Sequence, residues 1–230
     1  MYTRPQKLAA ELFGTFGVVF ISAGAICADQ SLRTANTGGI GPLGIALAYG
    51  LAFGVFMTAT SHISGGHLNP AVTVGHWVTR RLHTFDTLTY VIAQLAGACG
   101  AAYLLRWVVP EETWRAAGLG VPDLANGLTR TPAMLIEGVL TLFLVFVVFA
   151  TAVDRPEAQR AVAGISCGFL IAAAVMFGGP FTGAAMNPAR VFGPALAARR
   201  WSNHGVYWVG PLAGGVAAAV IYDWLFPRPR

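Results

Sequence analysis

Apolar residues fall into six long runs along this chain, at roughly 8–28, 43–61, 87–108, 132–153, 161–178 and 205–226. Polar breaks separate them: "DQSLRTANTGG", "RRLHTFD", the longer "PEETWRAAGLGVPDLANGLTRTP", "DRPEAQR" and "RRWSNHG". A helix needs about 20 apolar residues to cross a hydrocarbon layer about 30 Å thick, so the runs predict six transmembrane helices. Two apolar pieces remain, near 69–79 and 187–198, and both are too short to span. Each begins with Asn-Pro-Ala.

Asn is a strong helix N-cap, and Pro suits the first helical position because its missing N–H would be unpaired there anyway. Each short piece is therefore expected to be a helix starting at membrane depth. The halves also resemble each other: Ser64-Gly65-Gly66-His67-Leu68-Asn69-Pro70-Ala71 aligns with Thr182-Gly183-Ala184-Ala185-Met186-Asn187-Pro188-Ala189. An acidic residue sits early in an apolar run of each half, Glu11 in "AELFGTF" and Glu137 in "IEGVLTLF". The pattern predicts one membrane domain over 1–230, with a first repeat over about 1–108 and a second over about 130–230. Each repeat holds three spans, an odd number, so the second must insert upside down relative to the first. Inverted repeats with paired short helices point to a permeation or binding site at the bilayer midplane.

Non-helical backbone survives at that depth only where it is buried in protein or lines a water-filled cavity. The small residues before both caps let such a loop run close to other backbone, with its carbonyls turned toward a pore. Half-helices entering from opposite faces would bring two N-termini together, each carrying about half a positive charge. That pair would repel cations, hydronium included, and admit neutral molecules. Each Asn side-chain carbonyl can cap its helix while the amide keeps N–H groups for a passing oxygen.

Composition agrees with a lipid-embedded chain: 55% hydrophobic, 11% charged, mean hydropathy +0.60. A soluble domain carries about a quarter charged residues. No short charged segment, apolar run and small-residue cleavage site opens the sequence, so the first run is expected to be an anchor and not a removable signal. The net charge of +5 fits juxtamembrane Arg and Lys against anionic head groups and lacks the basic stripe with aromatics that nucleic-acid binding uses. With both termini on one side, that side holds eight basic residues against six opposite, Arg190 left out, which leans toward cytoplasmic termini. Cys27, Cys99 and Cys167 read as small apolar packing residues.

The two boxes in "SGGHLNPAVT" and "TGAAMNPARVFGPA", the acidic residues in the first and fourth spans, and "WVGPLAGG" in the last span resemble the aquaporin (major intrinsic protein) family. The resemblance covers nearly the whole chain. It implies an all-α membrane protein with six spans and two re-entrant half-helices. It also implies a pore in every protomer, a homotetramer, no cofactor, and water and small neutral solutes as cargo. By the same likeness, Asn69, Pro70, Ala71, Asn187, Pro188 and Ala189 form the pore boxes. Glu11 and Glu137 would be buried acceptors for the re-entrant backbone.

The family's narrowest point is lined by four side chains, which carry over to Tyr49, Val175, Ala184 and Arg190. Strict water channels place Phe, His, a small polar residue or Cys, and Arg there; glycerol facilitators place Trp, Gly, Phe and Arg. Tyr-Val-Ala-Arg is closer to the nodulin-like branch, which has Trp, Val, Ala and Arg, and implies a wider, less polar constriction. Val191 stands where glycerol facilitators tend to have Asp, and Ala195 and the Tyr207-Trp208 pair look like the water-selective and nodulin-like branches. A channel for water and small polyols such as glycerol is therefore expected, with a strictly water-selective pore as the alternative. Arg190, the lone basic residue at membrane depth, is expected to offer donors to solute oxygens and a positive barrier to cations.

His62 and His67 do not share a helical face and lack a third ligand, so no metal site is expected. His76, His83 and His204 lie near loop ends and suggest surface chemistry or pH gating. No nucleophilic triad, phosphate loop or Walker pattern appears, which argues against an enzyme. An ion-coupled transporter would need ionisable residues at the midplane, and only Glu11 and Glu137 qualify. A purely structural membrane protein would carry little flux. The short termini suggest a bacterial inner membrane.

Overall fold

The computed structural model describes residues 2–154 and 161–227. Arg155, Arg160, Arg228 and Arg230, which enter the orientation count, lie outside the described residues. Among the described residues, six helices are long and apolar enough to cross a membrane. They are α1 (Arg4–Thr34), α2 (Gly41–Ser64), α4 (Thr84–Val108), α6 (Arg130–Val148), α7 (Ala161–Thr182) and α9 (Val206–Leu225). The two Asn-Pro-Ala boxes open α3 (Pro70–Val78) and α8 (Pro188–Ala198). Each lies within a residue of its sequence-based start, because the Asn-Pro cap fixes that end locally. The first span is longer than its apolar run at both ends. Thr3 and Gln6 close a capping box at the start, with Thr3 N–H donating to Gln6 Oε1 at 2.8 Å. An Arg33–Asp29 pair at 2.6 Å carries the other end through the polar layer.

The longest break is more than a polar link. It holds a short helix, α5 (Glu111–Ala116), and a tight turn at Gly118–Gly120 with left-handed φ at Gly118, Leu119 and Gly120. Trp114 and Leu119 pack with Ala23, Cys27 and Leu105, so two apolar side chains pull this loop down onto the helices. At the other face, α6 continues into a single π-helical turn, Phe149–Val153.

Pairwise packing follows the internal repeat. The most extensive contacts join α2 to α7, α6 to α9 and α1 to α4. At the α2–α7 crossing, a side chain on Gly50 would meet the Gly168 carbonyl, and one on Gly168 the Gly50 carbonyl. Backbones approach this closely in membranes where small residues let dispersion contacts replace a hydrophobic drive. The half-helices cross over: α3 packs on α9 and α8 on α4. Each half therefore closes its short helix against the last span of the other half.

Candidate permeation site

The two segments before the caps share one backbone signature. Gly65 and Gly183 are left-handed at φ 99° and 82°, Gly66 and Ala184 at 63° and 46°, and Leu68 and Met186 at 50° and 52°. Left-handed backbone costs a non-glycine residue about 1–2 kcal/mol, so something outside the loops must hold it.

The buried carboxylates do this. Glu11 Oε1 accepts from His67 N–H (2.9 Å) and Ser64 Oγ (2.6 Å), while Oε2 accepts from Leu68 N–H (2.7 Å) and Gln94 Nε2 (2.8 Å). Glu137 Oε1 accepts from Thr182 Oγ1 (2.7 Å) and Ala185 N–H (3.0 Å), and Oε2 from Met186 N–H (2.8 Å). The hydroxyls of Ser64 and Thr182 each accept one further loop N–H, from Gly66 and Ala184, both at 3.2 Å. The tyrosines of the last span in each half donate to the carbonyl opening the loop: Tyr90 to Ser64 O at 3.0 Å and Tyr207 to Thr182 O at 2.8 Å. Both glutamates are 0% exposed, and several directed bonds offset the cost of burying each.

The caps interlock. Asn69 Oδ1 accepts from Ala71 N–H at 2.8 Å, and Asn187 Oδ1 from Ala189 and Arg190 N–H at 3.0 and 3.3 Å. Asn69 Nδ2 donates to Met186 O and Asn187 Nδ2 to Leu68 O, both at 2.9 Å. Each amide thus gives one N–H to the carbonyl preceding the other cap and keeps the second. The half-helix N-termini meet through these two bonds, which places both positive ends at one level.

What remains is a row of open acceptors. Among the described residues, no donor reaches the carbonyls of Gly65, Gly66 and His67, or those of Gly183 and Ala184. Tyr49, Val175 and Ala184 share one buried cluster, and the Arg190 guanidinium carbon lies 5.8 Å from the Tyr49 ring centroid. Arg190 Nη1 donates to Gly120 O at 2.6 Å, while its buried Nε has no partner among the described residues. A buried donor without a partner and loop carbonyls left open are what a path for hydrogen-bonding solutes presents.

On the side of the termini, a cavity of about 530 Å³ is lined by Ser61, His67, His76, Arg80, Arg81 and Asp154, among others. His76 is half-buried, and its ring stacks on that of His67 at 4.1 Å. Thr73 Oγ1 donates to Asn69 O and accepts from Gln94 Nε2, so the network assigns the proton of the His67–Thr73 contact (3.1 Å) to His67 Nδ1. Arg81 pairs with Asp223 at 2.6 Å and lies 4.7 Å over the Phe149 ring.

Several of these residues carry no isolated signal in the sequence. Gly120 looks like any loop glycine, yet it holds Arg190. Ser64 and Thr182 are visible only as aligned hydroxyl positions, and Gln94 looks like a stray polar residue in a span.

Six spans and two half-helices that meet at their caps at membrane depth are the architecture of a membrane channel. The profile of the Major intrinsic protein family matches residues 2–222. The chain is 44% identical to Aquaporin TIP4-4 of Zea mays, over 98% of this chain and 91% of that protein. It is 41% identical to the Probable aquaporin TIP3-2 of Arabidopsis thaliana, over 97% and 85%. Its fold is similar to the X-ray structure of the aquaglyceroporin from Plasmodium falciparum, with a TM-score of 0.82, 23% identity and 98% of both chains covered. The chain belongs to the major intrinsic protein family. It is a multi-pass membrane protein, a passive channel for water and small solutes and not an enzyme. These sequence relatives are plant proteins and give the expected bacterial inner membrane no support.

Proposed function

We propose that the path between the two boxes conducts water and small uncharged polyols such as glycerol, and excludes protons and ions. The open loop carbonyls and the unpartnered Nε of Arg190 carry this proposal: together they offer acceptors and a donor to neutral solutes in single file. The positive helix ends at Asn69 and Asn187, with Arg190 beyond them, oppose cations. Tyr49, Val175, Ala184 and Arg190 form the selectivity constriction in this proposal, in the nodulin-like pattern. Glu11 and Glu137 support the loops and move no protons, since loop donors engage both of their oxygens. The working unit is a homotetramer of single-domain protomers, each with repeats over about 1–108 and 130–230 and cytoplasmic termini.

Stopped-flow light scattering on proteoliposomes tests the solute range. Liposomes holding the protein should shrink faster than empty ones against sucrose and re-swell faster against glycerol. Glycerol re-swelling no faster than in empty liposomes, with fast water flux, defeats the polyol proposal and leaves a strictly water-selective channel.

A further inference from the structure

The backbone carbonyls of 64–68 and 182–186 are bonded alike in the two loops except at one. In the register of the two boxes, Ala185 corresponds to His67 and Tyr49 to Cys167. The Tyr49 hydroxyl donates to Ala185 O at 2.7 Å. No donor reaches His67 O among the described residues, and Cys167 makes no such bond. The first loop thus keeps Gly65, Gly66 and His67 as a run of open acceptors, whereas the second keeps only Gly183 and Ala184.

We infer that the Tyr49 hydroxyl is a specificity determinant: by occupying the Ala185 carbonyl it takes one acceptor out of the constriction and lowers polyol flux relative to water flux. The position explains why this carbonyl matters. Tyr49 is 3% exposed, and the Arg190 guanidinium stands against its ring. Arg190 supplies N–H donors against this ring, and the Ala185 carbonyl, one residue closer to the cap than the open Ala184 carbonyl, is covered by the phenol oxygen. Water loses little there, since its lone pairs meet the arginine and its protons find the neighbouring carbonyls in turn. A polyol must satisfy adjacent hydroxyls at once, each acting as donor and acceptor, so a missing acceptor leaves one of its protons unpaired in a dry passage. Tyr49 also ties α2 to the second loop, which keeps the ring from swinging aside. The inference deepens the proposed solute range by naming the atom pair that sets the water-to-polyol ratio.

Tyr49→Phe removes the donor and keeps the ring. In proteoliposomes, the ratio of glycerol to water permeability should rise about three- to tenfold, the worth of one net hydrogen bond. Tyr90→Phe is the control, because it removes a tyrosine–carbonyl bond in the other loop; it should lower thermal stability without moving the ratio. A Tyr49→Phe ratio equal to wild type overturns the inference. So does an equal rise in Tyr90→Phe, since loosened loops would then be the cause. If Tyr49→Phe does not reconstitute, Tyr49→Met also lacks the donor and is read in the same way. Wild-type protein that passes no glycerol defeats the polyol proposal alone. The inference then stands if Tyr49→Phe opens a glycerol flux and falls if it does not.

Discussion

The loop at 64–69 and the loop at 182–187 share backbone, carboxylate anchor, hydroxyl brace and tyrosine strap, yet their surroundings differ in kind. Around the first, the polar chain runs from Glu11 through Gln94 and Thr73 to His67, which stacks on His76. At the corresponding places around the second stand Pro211, Val191, Ala185 and Pro194. The second half instead puts Arg190 where the first has Val72. The repeated parts solve a problem both loops share, which is to hold left-handed backbone at membrane depth. The unrepeated parts set the two sides apart: a cavity lined by His67 and His76 on one side, and the buried Arg190 against Tyr49 on the other.

Removing the anchor that both loops share should have the largest effect. Glu11→Gln and Glu137→Gln each replace an acceptor oxygen with a donor facing N–H groups, and each should cost about 2–4 kcal/mol of stability. The loss should be larger for Glu11, which accepts from Gln94 as well as from the loop. Thermal unfolding in detergent measures this, and wild-type midpoints in both variants would show that the carboxylates do not hold the loops.

Next in size is the asymmetry itself. Arg190→Val makes the second box resemble the first and should raise proton conductance about tenfold or more while water flux persists. A pH-sensitive dye trapped in voltage-clamped proteoliposomes reads this directly. Unchanged proton leak would assign the whole barrier to the paired helix ends.

The smallest effect concerns the end of α8 opposite the termini. Burial holds the His204 imidazole below its ordinary range, and its Nε2 accepts from Trp208 Nε1–H at 3.0 Å. That contact needs the neutral ring. Because the folded value is the lower one, the unfolded chain takes up the proton first. The contribution is therefore complete above about pH 6.5 and is lost as pH falls toward and through the folded value. Melting temperature should fall slightly from about pH 7.5 to 5, and His204→Gln should flatten that part of the profile. An identical slope in the variant would place the sensitivity elsewhere.

The amino-acid sequence alone determined the six spans, the two short helices and their starting residues. These depend on run length and on Asn-Pro capping, which are local. The alignment of Ser64 with Thr182 and of Glu11 with Glu137 was legible for the same reason, since the repeat is written along the chain. Only the tertiary structure decided that α3 packs on α9 and α8 on α4, and that each Asn amide reaches the carbonyl before the other cap. It also decided that the tight turn at Gly118–Gly120 folds down to hold Arg190, and that Tyr49 takes the Ala185 carbonyl. Those contacts join residues 70 to 136 positions apart. A hydroxyl or a carbonyl gives no sign along the sequence of which distant partner it meets. Packing between helices sets that distance, and with it which acceptors stay open to a solute.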